Sequence, residues 1–386
     1  MIKKIKRLYI SSSIILQSTL ILTIGINLTL FLIFFIRDAL RENPVSEKYD
    51  KIVITESYPE KNKTQIKQLL QETWSRGFKY EAYTQFSERA YTGEFVNVSK
   101  DGYRFNDKFN VWPPDEEKLN IFVFGGSTTF GYGVADNETI PSHLQSFLSK
   151  LDNRIAVYNF GRGFYYSTQE KILLELLISQ NIDCDIAVFI DGLNEFIHLE
   201  NEPIYTYHLN EIFLKNEKLE SKYHFSELIS QTSIGRAQRF FSKFLNESEK
   251  IKNSTYNNKI NKPDSKYFLN RYLFNKSNIQ NLANFYNIKC LFVLQPIPSY
   301  KYDQSNHPFA KKNGYGIHEH SSHAYFEFEN EYLKDQNKSN FLWLGNLQEN
   351  LNIRLYVDLV HYTAYFNKVI SKRISEQLIS ELILND

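Results

Sequence analysis

Between Arg7 and Arg37 the chain runs for 29 residues without a charged side chain, from Leu8 through a Leu-, Ile- and Phe-rich stretch to Ile36. About 20 helical residues cross a hydrocarbon core of ~30 Å, so this segment is long enough to span a bilayer with tilt or with its ends among the headgroups. Ser11, Ser12, Ser13, Gln17 and Asn27 are tolerable polar interruptions. A cleaved signal peptide has an apolar region of roughly 7–15 residues ending in a small-x-small site. Here the apolar region is longer and Ile36-Arg37-Asp38-Ala39 offers no such site, so residues 8–36 are expected to be an uncleaved, single-pass anchor. The basic cluster Lys3, Lys4, Lys6 and Arg7 predicts a cytoplasmic tail over residues 1–7 and an outward-facing remainder, periplasmic or extracellular. No later segment reads as a second span.

The remainder should fold. Hydrophobic residues make up 42% and charged residues 23% of 386, which excludes both small stapled scaffolds and disordered chains. Four of the 45 basic residues sit in the amino-terminal cluster, against 44 acidic residues overall. The chain beyond that cluster is therefore slightly acidic, which argues against a nucleic-acid partner bound through phosphate neutralisation. Two cysteines, Cys184 and Cys290, make neither a disulfide framework nor a zinc ribbon. They are expected to be two buried thiols.

Residues 37–118 are mixed and polar, and read as a membrane-proximal stalk with a small lead-in element. From Leu119 the pattern changes to four continuous apolar runs, LNIFVF (119–124), IAVYN (155–159), DIAVFID (185–191) and IKCLFVLQP (288–296). Continuous runs are expected of strands buried on both faces of a parallel sheet. Helices fit over 140–151, 167–180 and 275–286, and a last amphipathic helix over 363–384. The gap of about 95 residues after the third run exceeds any single crossover, so insertions are expected over 197–274 and 298–340. The Asn-, Lys- and Ser-rich stretch 246–266 reads as an exposed loop or cap. Loops leaving the carboxyl ends of parallel strands line ligand sites.

The strongest chemical signal is FVFGGSTTFGYGV, in which a buried strand ends at Gly125 and Gly126 and presents Ser127 before a helical turn. Glycines permit the tight turn, and backbone N–H groups beside it suit an oxyanion. A phosphate-binding P-loop fails here, because Tyr132 stands where its lysine belongs and Gly133 where its Ser or Thr belongs. The GxSxG elbow fails at Thr129. At the far end, YVDLVHYT places Asp358 three residues before His361, the base-and-orienter pair that a serine nucleophile needs. NFGRG (159–163) and DGLNEF (191–196) follow the second and third strands, where glycine N–H groups and the Asn194 amide are suitable oxyanion donors. Arg162 reads as a structural arginine. The three histidines of HEHSSH, His318, His320 and His323, lack the HExxH order of a zinc site, and no metal is expected. Tyr315, Tyr325, Phe326 and Phe328 beside them read as core or as sugar-stacking rings.

The ordered set GGS at Ser127, NFG at Gly161, GLNE at Asn194 and DLVH at Asp358 and His361 resembles the SGNH hydrolase superfamily, the GDSL-like lipases and acylhydrolases, over residues 119–386. The resemblance implies a flavodoxin-like three-layer α/β/α fold without a cofactor. It makes Ser127 the nucleophile, His361 the base and Asp358 its orienter, with an oxyanion hole from the Ser127 N–H, a block-two glycine and Asn194. The first block departs from GDS. In block two Phe164 stands where the second glycine falls, five residues after Asn159, so Gly161 and Gly163 are taken jointly as donors; a non-glycine N–H serves equally if the turn permits it. The expected activity is that of an extracytoplasmic, membrane-anchored serine esterase that deacetylates a cell-envelope carbohydrate. An O-acyltransferase acting on an envelope polysaccharide and a non-catalytic glycan-binding scaffold are the alternatives.

Overall fold

The computed structural model describes residues 2–40, 43–106, 110–198, 201–210, 230, 232–242, 265–310, 314–319, 321–337 and 339–383. The chain divides into two units, Met1–Glu42 with Tyr207–Lys262, and Asn43–Thr206 with Pro263–Asp386. The first contains helix α1 (Ile2–Leu40). By length and composition Ile2–Asp38 can cross a membrane. Three of its polar residues, Thr23, Asn27 and Thr29, each bond a carbonyl four residues back at 2.9 Å, which removes for them the cost of an unpaired donor in an apolar setting.

In the second unit, residues from Asn43 onward do not stand off as a stalk. They fold as α2 (Pro44–Lys48), α3 (Lys51–Glu56) and α4 (Lys63–Trp74), the hairpin β1 (Phe78–Glu81) and β2 (Gln85–Glu88), and the short pair β3 (Tyr91–Thr92) and β4 (Asn97–Val98). A capping box between Asn62 and Gln65 starts α4. Its Ile66, Leu69 and Leu70 pack in one cluster with Val45, Ile54, Val96 and Val98, and with Phe130, Tyr132 and Val357 of the sheet domain. Two buried charges complete the attachment. Glu72 accepts the N–H groups of Glu94, Phe95 and Val96. Arg104 donates to the carbonyls of Phe130, Gly131 and Val134 and pairs with Asp136 at 2.8 Å. The polar composition of 37–118 concealed a narrow apolar face and these internally matched charges.

The four apolar runs form β5 (Leu119–Gly125), β6 (Ile155–Gly161), β7 (Ile186–Asp191) and β8 (Lys289–Leu294), and a fifth strand, β9 (Phe341–Trp343), adds to β8. All are parallel, in the order β6-β5-β7-β8-β9, the 2-1-3-4-5 order of flavodoxin-like folds. With α5 (Ser127–Phe130) following β5, helices α6 (Ile140–Leu148) and α10 (Ala364–Leu378) cover one face, while α7 (Ser167–Ser179) and α8 (Ser265–Phe285) cover the other. A short helix, α9 (Ser321–Glu327), lies in the second excursion. The expected three-layer α/β/α architecture is present, with two corrections. A strand of three residues is too short to read as an apolar run, and α8 begins ten residues before the expected Asn275, so the first insertion ends earlier than 274. The loop read over 246–266 lies, up to residue 264, outside the described residues.

The two faces of the sheet differ in kind. One carries Ile121, Val123, Val157, Val188, Ile190 and Val293 against α6 and α10. The other carries Phe122, Phe124, Tyr158, Phe160, Phe189 and Phe292 against α7 and α8. Across it Phe160, Phe124, Phe189 and Phe292 stack as in-register neighbours, with centroids 5.7, 4.9 and 5.4 Å apart and planes within 18°. Cys184 and Cys290 are free and buried, and burial pushes the Cys290 thiol up to about 12. Tyr315, Tyr325 and Phe328 are buried; Tyr325 and Phe328 belong to the aromatic core, and the Tyr315 hydroxyl donates to Pro298 O at 2.9 Å.

Candidate active site

Strand β5 delivers the chain to the carboxyl edge of the sheet, and Ser127 opens α5 immediately beyond it. Gly126 between them is required by a close approach: a Cβ there would stand 2.5 Å from Asn194 Nδ2 and 3.2 Å from Tyr165 O. The turn after α5 is held from the lead-in segment by Arg104 and by the Tyr58 hydroxyl, which donates to Gly133 O at 2.9 Å.

Ser127 Oγ lies 2.8 Å from His361 Nε2, and His361 Nδ1 lies 2.8 and 3.0 Å from the two oxygens of Asp358. Asp358 also accepts the N–H groups of Val360 and His361, each at 2.9 Å, the side-chain-to-backbone turn that Asp favours. Burial pushes the Asp358 carboxyl up, but the His361 imidazole and these hydrogen bonds outweigh it and hold it below the usual carboxylate value. An ionised Asp358 keeps the proton on Nδ1 and leaves Nε2 to accept from the serine hydroxyl. The intervening Leu359 carbonyl accepts from His307 Nε2 at 3.1 Å, and the His307 ring stacks on Tyr356 at 5.0 Å. Next to Ser127, Thr128 Oγ1 donates to Gln295 Oε1 at 2.7 Å.

Two rings back His361. Tyr132 lies against it at 5.5 Å with planes 22° apart, and Trp74, the last residue of α4, meets it edge-on at 5.3 Å. Trp74 escaped the sequence reading because only the tertiary fold brings α4 to the carboxyl end of the chain. The available signal was the apolar periodicity Ile66, Leu69, Leu70, which Trp74 continues.

The two glycines expected to donate to an oxyanion are engaged elsewhere. The Gly161 N–H donates to Asn159 Oδ1 and the Gly163 N–H to Glu88 Oε1, each at 3.0 Å. Gly161 is required for a different reason: a Cβ there would stand 2.2 Å from the Phe130 N and 2.7 Å from the Thr129 carbonyl carbon, so only glycine lets β6 pass under α5. The next turn residue is Phe164, in the left-handed region at φ 63°, which costs a non-glycine residue of the order of 1 kcal/mol. Among the described residues no acceptor is bonded to the N–H of Phe164 or of Ser127. The Phe164 carbonyl lies 3.0 Å from His198 Nε2. Asn194 Nδ2 donates to Tyr165 O at 2.8 Å, leaving its second hydrogen without an acceptor among the described residues. Thus the structure brings Ser127, His361 and Asp358 together and sets Asn194 beside Gly126, while in block two the glycine N–H groups are bonded elsewhere and, among the described residues, no acceptor is bonded to that of Phe164. Its spacing of five residues from Asn159 was the signal.

Arg162 is buried, pairing with Glu81 and donating to Tyr165 Oη at 2.9 Å, so it anchors the turn. Burial, then the charges of Asp191 and Glu195, raises the Glu170 carboxyl well above its usual value, and burial, then the Glu195 charge, does the same to Asp191, with a hydrogen bond from Glu170 opposing. Arg271 pairs with Glu195 at 3.6 Å and donates to the carbonyls of Glu195 and His198, fixing the turn that carries Asn194. Of the expected histidine cluster His320 lies outside the described residues, and among the described residues no group of three His, Cys, Asp or Glu is placed to hold a metal ion.

The fold and site thus define a doubly wound α/β/α domain with a Ser-His-Asp relay at the carboxyl edge of its sheet. No protein-family model matches the chain, and no curated protein matches it. Solved structures similar to it include an acetyl xylan esterase, AlAXEase, at 14% identity over 68% of this chain and 100% of that one, with a TM-score of 0.36. A carbohydrate acetylesterase family member from Sinorhizobium meliloti matches at 14% identity over 68% and 99%, with a TM-score of 0.33. The psychrotrophic esterase EstA from a Pseudoalteromonas species matches at 11% identity over 70% and 100%, with a TM-score of 0.35.

Proposed function

We propose that the protein is a serine esterase of the SGNH type, anchored by α1 with its amino terminus in the cytoplasm and its catalytic unit outside, acting on an acylated cell-envelope glycan. The observation that carries the reading is the continuous relay from Ser127 Oγ through His361 to Asp358, with 2.8 Å at both links. Ser127 Oγ attacks the ester carbonyl while its proton passes to His361 Nε2. The oxyanion is stabilised by the N–H groups of Ser127 and Phe164 and the free hydrogen of the Asn194 amide. The C–O bond to the alcohol breaks, the alcohol takes the proton from His361, and the acyl group stays on Ser127. Water then attacks through the same base and releases the acid, restoring the serine hydroxyl.

A glycan substrate is supported by the rings beside the oxyanion turn. Phe164 is 39% and Tyr205 36% exposed, each packing edge-on against Phe78 at 6.4 and 6.3 Å. Exposed aromatic faces next to a reacting carbonyl suit the apolar face of a pyranose ring. The test is hydrolysis of p-nitrophenyl acetate by the full chain in detergent micelles, beside its Ser127→Ala variant. Turnover is expected in the parent and abolished in a folded variant; equal turnover in both overturns the assignment of Ser127.

A further inference from the structure

Glu88, the last residue of β2, is 2% exposed. A buried carboxylate is costly unless every lone pair finds a donor, and the partners of this one are informative. Glu88 Oε2 accepts from Arg76 Nη1 at 3.1 Å, and Oε1 accepts from both the Tyr132 hydroxyl and the Gly163 N–H at 3.0 Å. None of the three partners is merely core. Gly163 immediately precedes Phe164, whose N–H is one of the oxyanion donors in the proposed mechanism. Tyr132 is the ring stacked on His361. Arg76 is fixed by its own bond to Glu72 O at 2.8 Å and by its place over the Phe130 ring at 4.8 Å, and lies two residues beyond Trp74, the second ring on His361. Burial, then the Glu88 charge, pushes the Tyr132 phenol well above its usual value, with Arg76 opposing in part, so the phenol remains a donor.

We propose that Glu88 is a positioning residue for acyl transfer: one carboxylate oxygen fixes both the turn that presents the Phe164 N–H and the ring that backs His361. The segment between the anchor and the sheet, which carries none of the four blocks, is thereby part of the catalytic machinery. The proposal rests on the serine esterase reading. Glu88 touches no reacting atom; it acts through Gly163 and Tyr132. Its replacement loosens donor and base together, and displacements of about 1 Å in such groups cost up to ~100-fold in rate.

The test uses the full chain with p-nitrophenyl acetate, comparing the parent with Glu88→Gln, Tyr132→Phe and the double variant Arg76→Gln/Glu88→Gln. Glutamine keeps the shape but accepts through one oxygen only and leaves Arg76 as an uncompensated cation. Glu88→Gln is expected to lower kcat by about 10- to 100-fold with little change in KM. In the double variant, which also removes the cation paired with Glu88, kcat is expected to stay lowered. Tyr132→Phe keeps the stacked ring and loses one bond, so a smaller fall in kcat at unchanged KM is expected even if Glu88→Gln does not fold. A lowered melting temperature with kcat unchanged in the folded variants overturns the proposal. Ser127→Ala separates the two levels. If it is inactive while Glu88→Gln equals the parent, only the positioning role fails; if Ser127→Ala is active, the esterase reading fails.

Discussion

Replacing Asn194 by alanine tests the oxyanion site at its best-defined donor. The Asn194 amide has two hydrogens, one committed to Tyr165 O at 2.8 Å and one directed at no acceptor among the described residues. Truncation removes both, with separable consequences. Loss of the free hydrogen removes one of three donors to the developing oxyanion, a change worth ~2.7–4 kcal/mol or about 10²–10³ in kcat. Because the donor matters when negative charge forms, KM for p-nitrophenyl acetate should hardly move. Loss of the committed hydrogen strands the Tyr165 carbonyl, costing roughly 1–3 kcal/mol of stability, read as a melting temperature lower by a few degrees. Asn194→Asp should be worse in both respects, since it turns an acceptor toward Tyr165 O and adds a charge above the buried Glu170, Asp191 and Glu195 carboxyls. The assay is steady-state hydrolysis beside thermal unfolding of each variant. A folded Asn194→Ala protein whose kcat stays within about threefold of the parent would remove Asn194 from the oxyanion site, since a donor there is worth far more.

Asp358→Asn retains an oxygen for the Val360 and His361 N–H groups but presents an amide that no longer holds the proton on Nδ1; kcat should fall ~10⁴-fold with the fold intact, and a loss under tenfold in stopped assays would contradict the orienter role. The pH dependence of stability is set in part by two buried histidines, His198 and His307, and the half-buried His318. Burial pushes His198, His307 and His318 down to about 4, whereas the unfolded chain titrates near 6.5. Between these values the unfolded state binds more protons, so stability rises with pH across the window and is lost as pH falls through it. Melting temperatures measured from pH 4 to 7 should show this, and His307→Gln should flatten the slope by one proton's worth; an unchanged slope would mean His307 is protonated when folded.

The long apolar amino-terminal helix, the four long strands and the residues of the relay were legible because each is marked by local sequence. An uncharged run, continuous Val, Ile and Phe segments, and short blocks at strand ends all announce themselves. Strand β9 was hidden by its three-residue length. The roles of Trp74, Arg104 and His307 depend on contacts that link distant parts of the chain, and at Trp74 the apolar periodicity of α4 marks a packed position without naming its partner. At block two the sequence left the donor open between Gly161, Gly163 and a non-glycine N–H of the same turn, because which N–H groups are already bonded depends on Glu88 and Asn159 in the folded chain, and the two glycines attracted the role. In the fold they serve other needs, Gly161 a close backbone approach and Gly163 the bond to Glu88.

The stacked phenylalanines also act as a gauge. Strands β5 and β6 end as in-register partners, Gly125 beside Gly161, with Ile190 of β7 opposite Gly125. Ser127, Phe164 and Asn194 follow these ends by a few residues each. A one-residue slip of any strand would exchange its aromatic and aliphatic faces; a two-residue slip would restore the faces but carry its catalytic group ~7 Å along the sheet and break the stack. The rings at Phe160, Phe124, Phe189 and Phe292 therefore set the length at which three strands release Ser127, Phe164 and Asn194 to a common edge. A packing layer set back from the candidate site thus determines whether Ser127 and the donors proposed for it arrive at the same place.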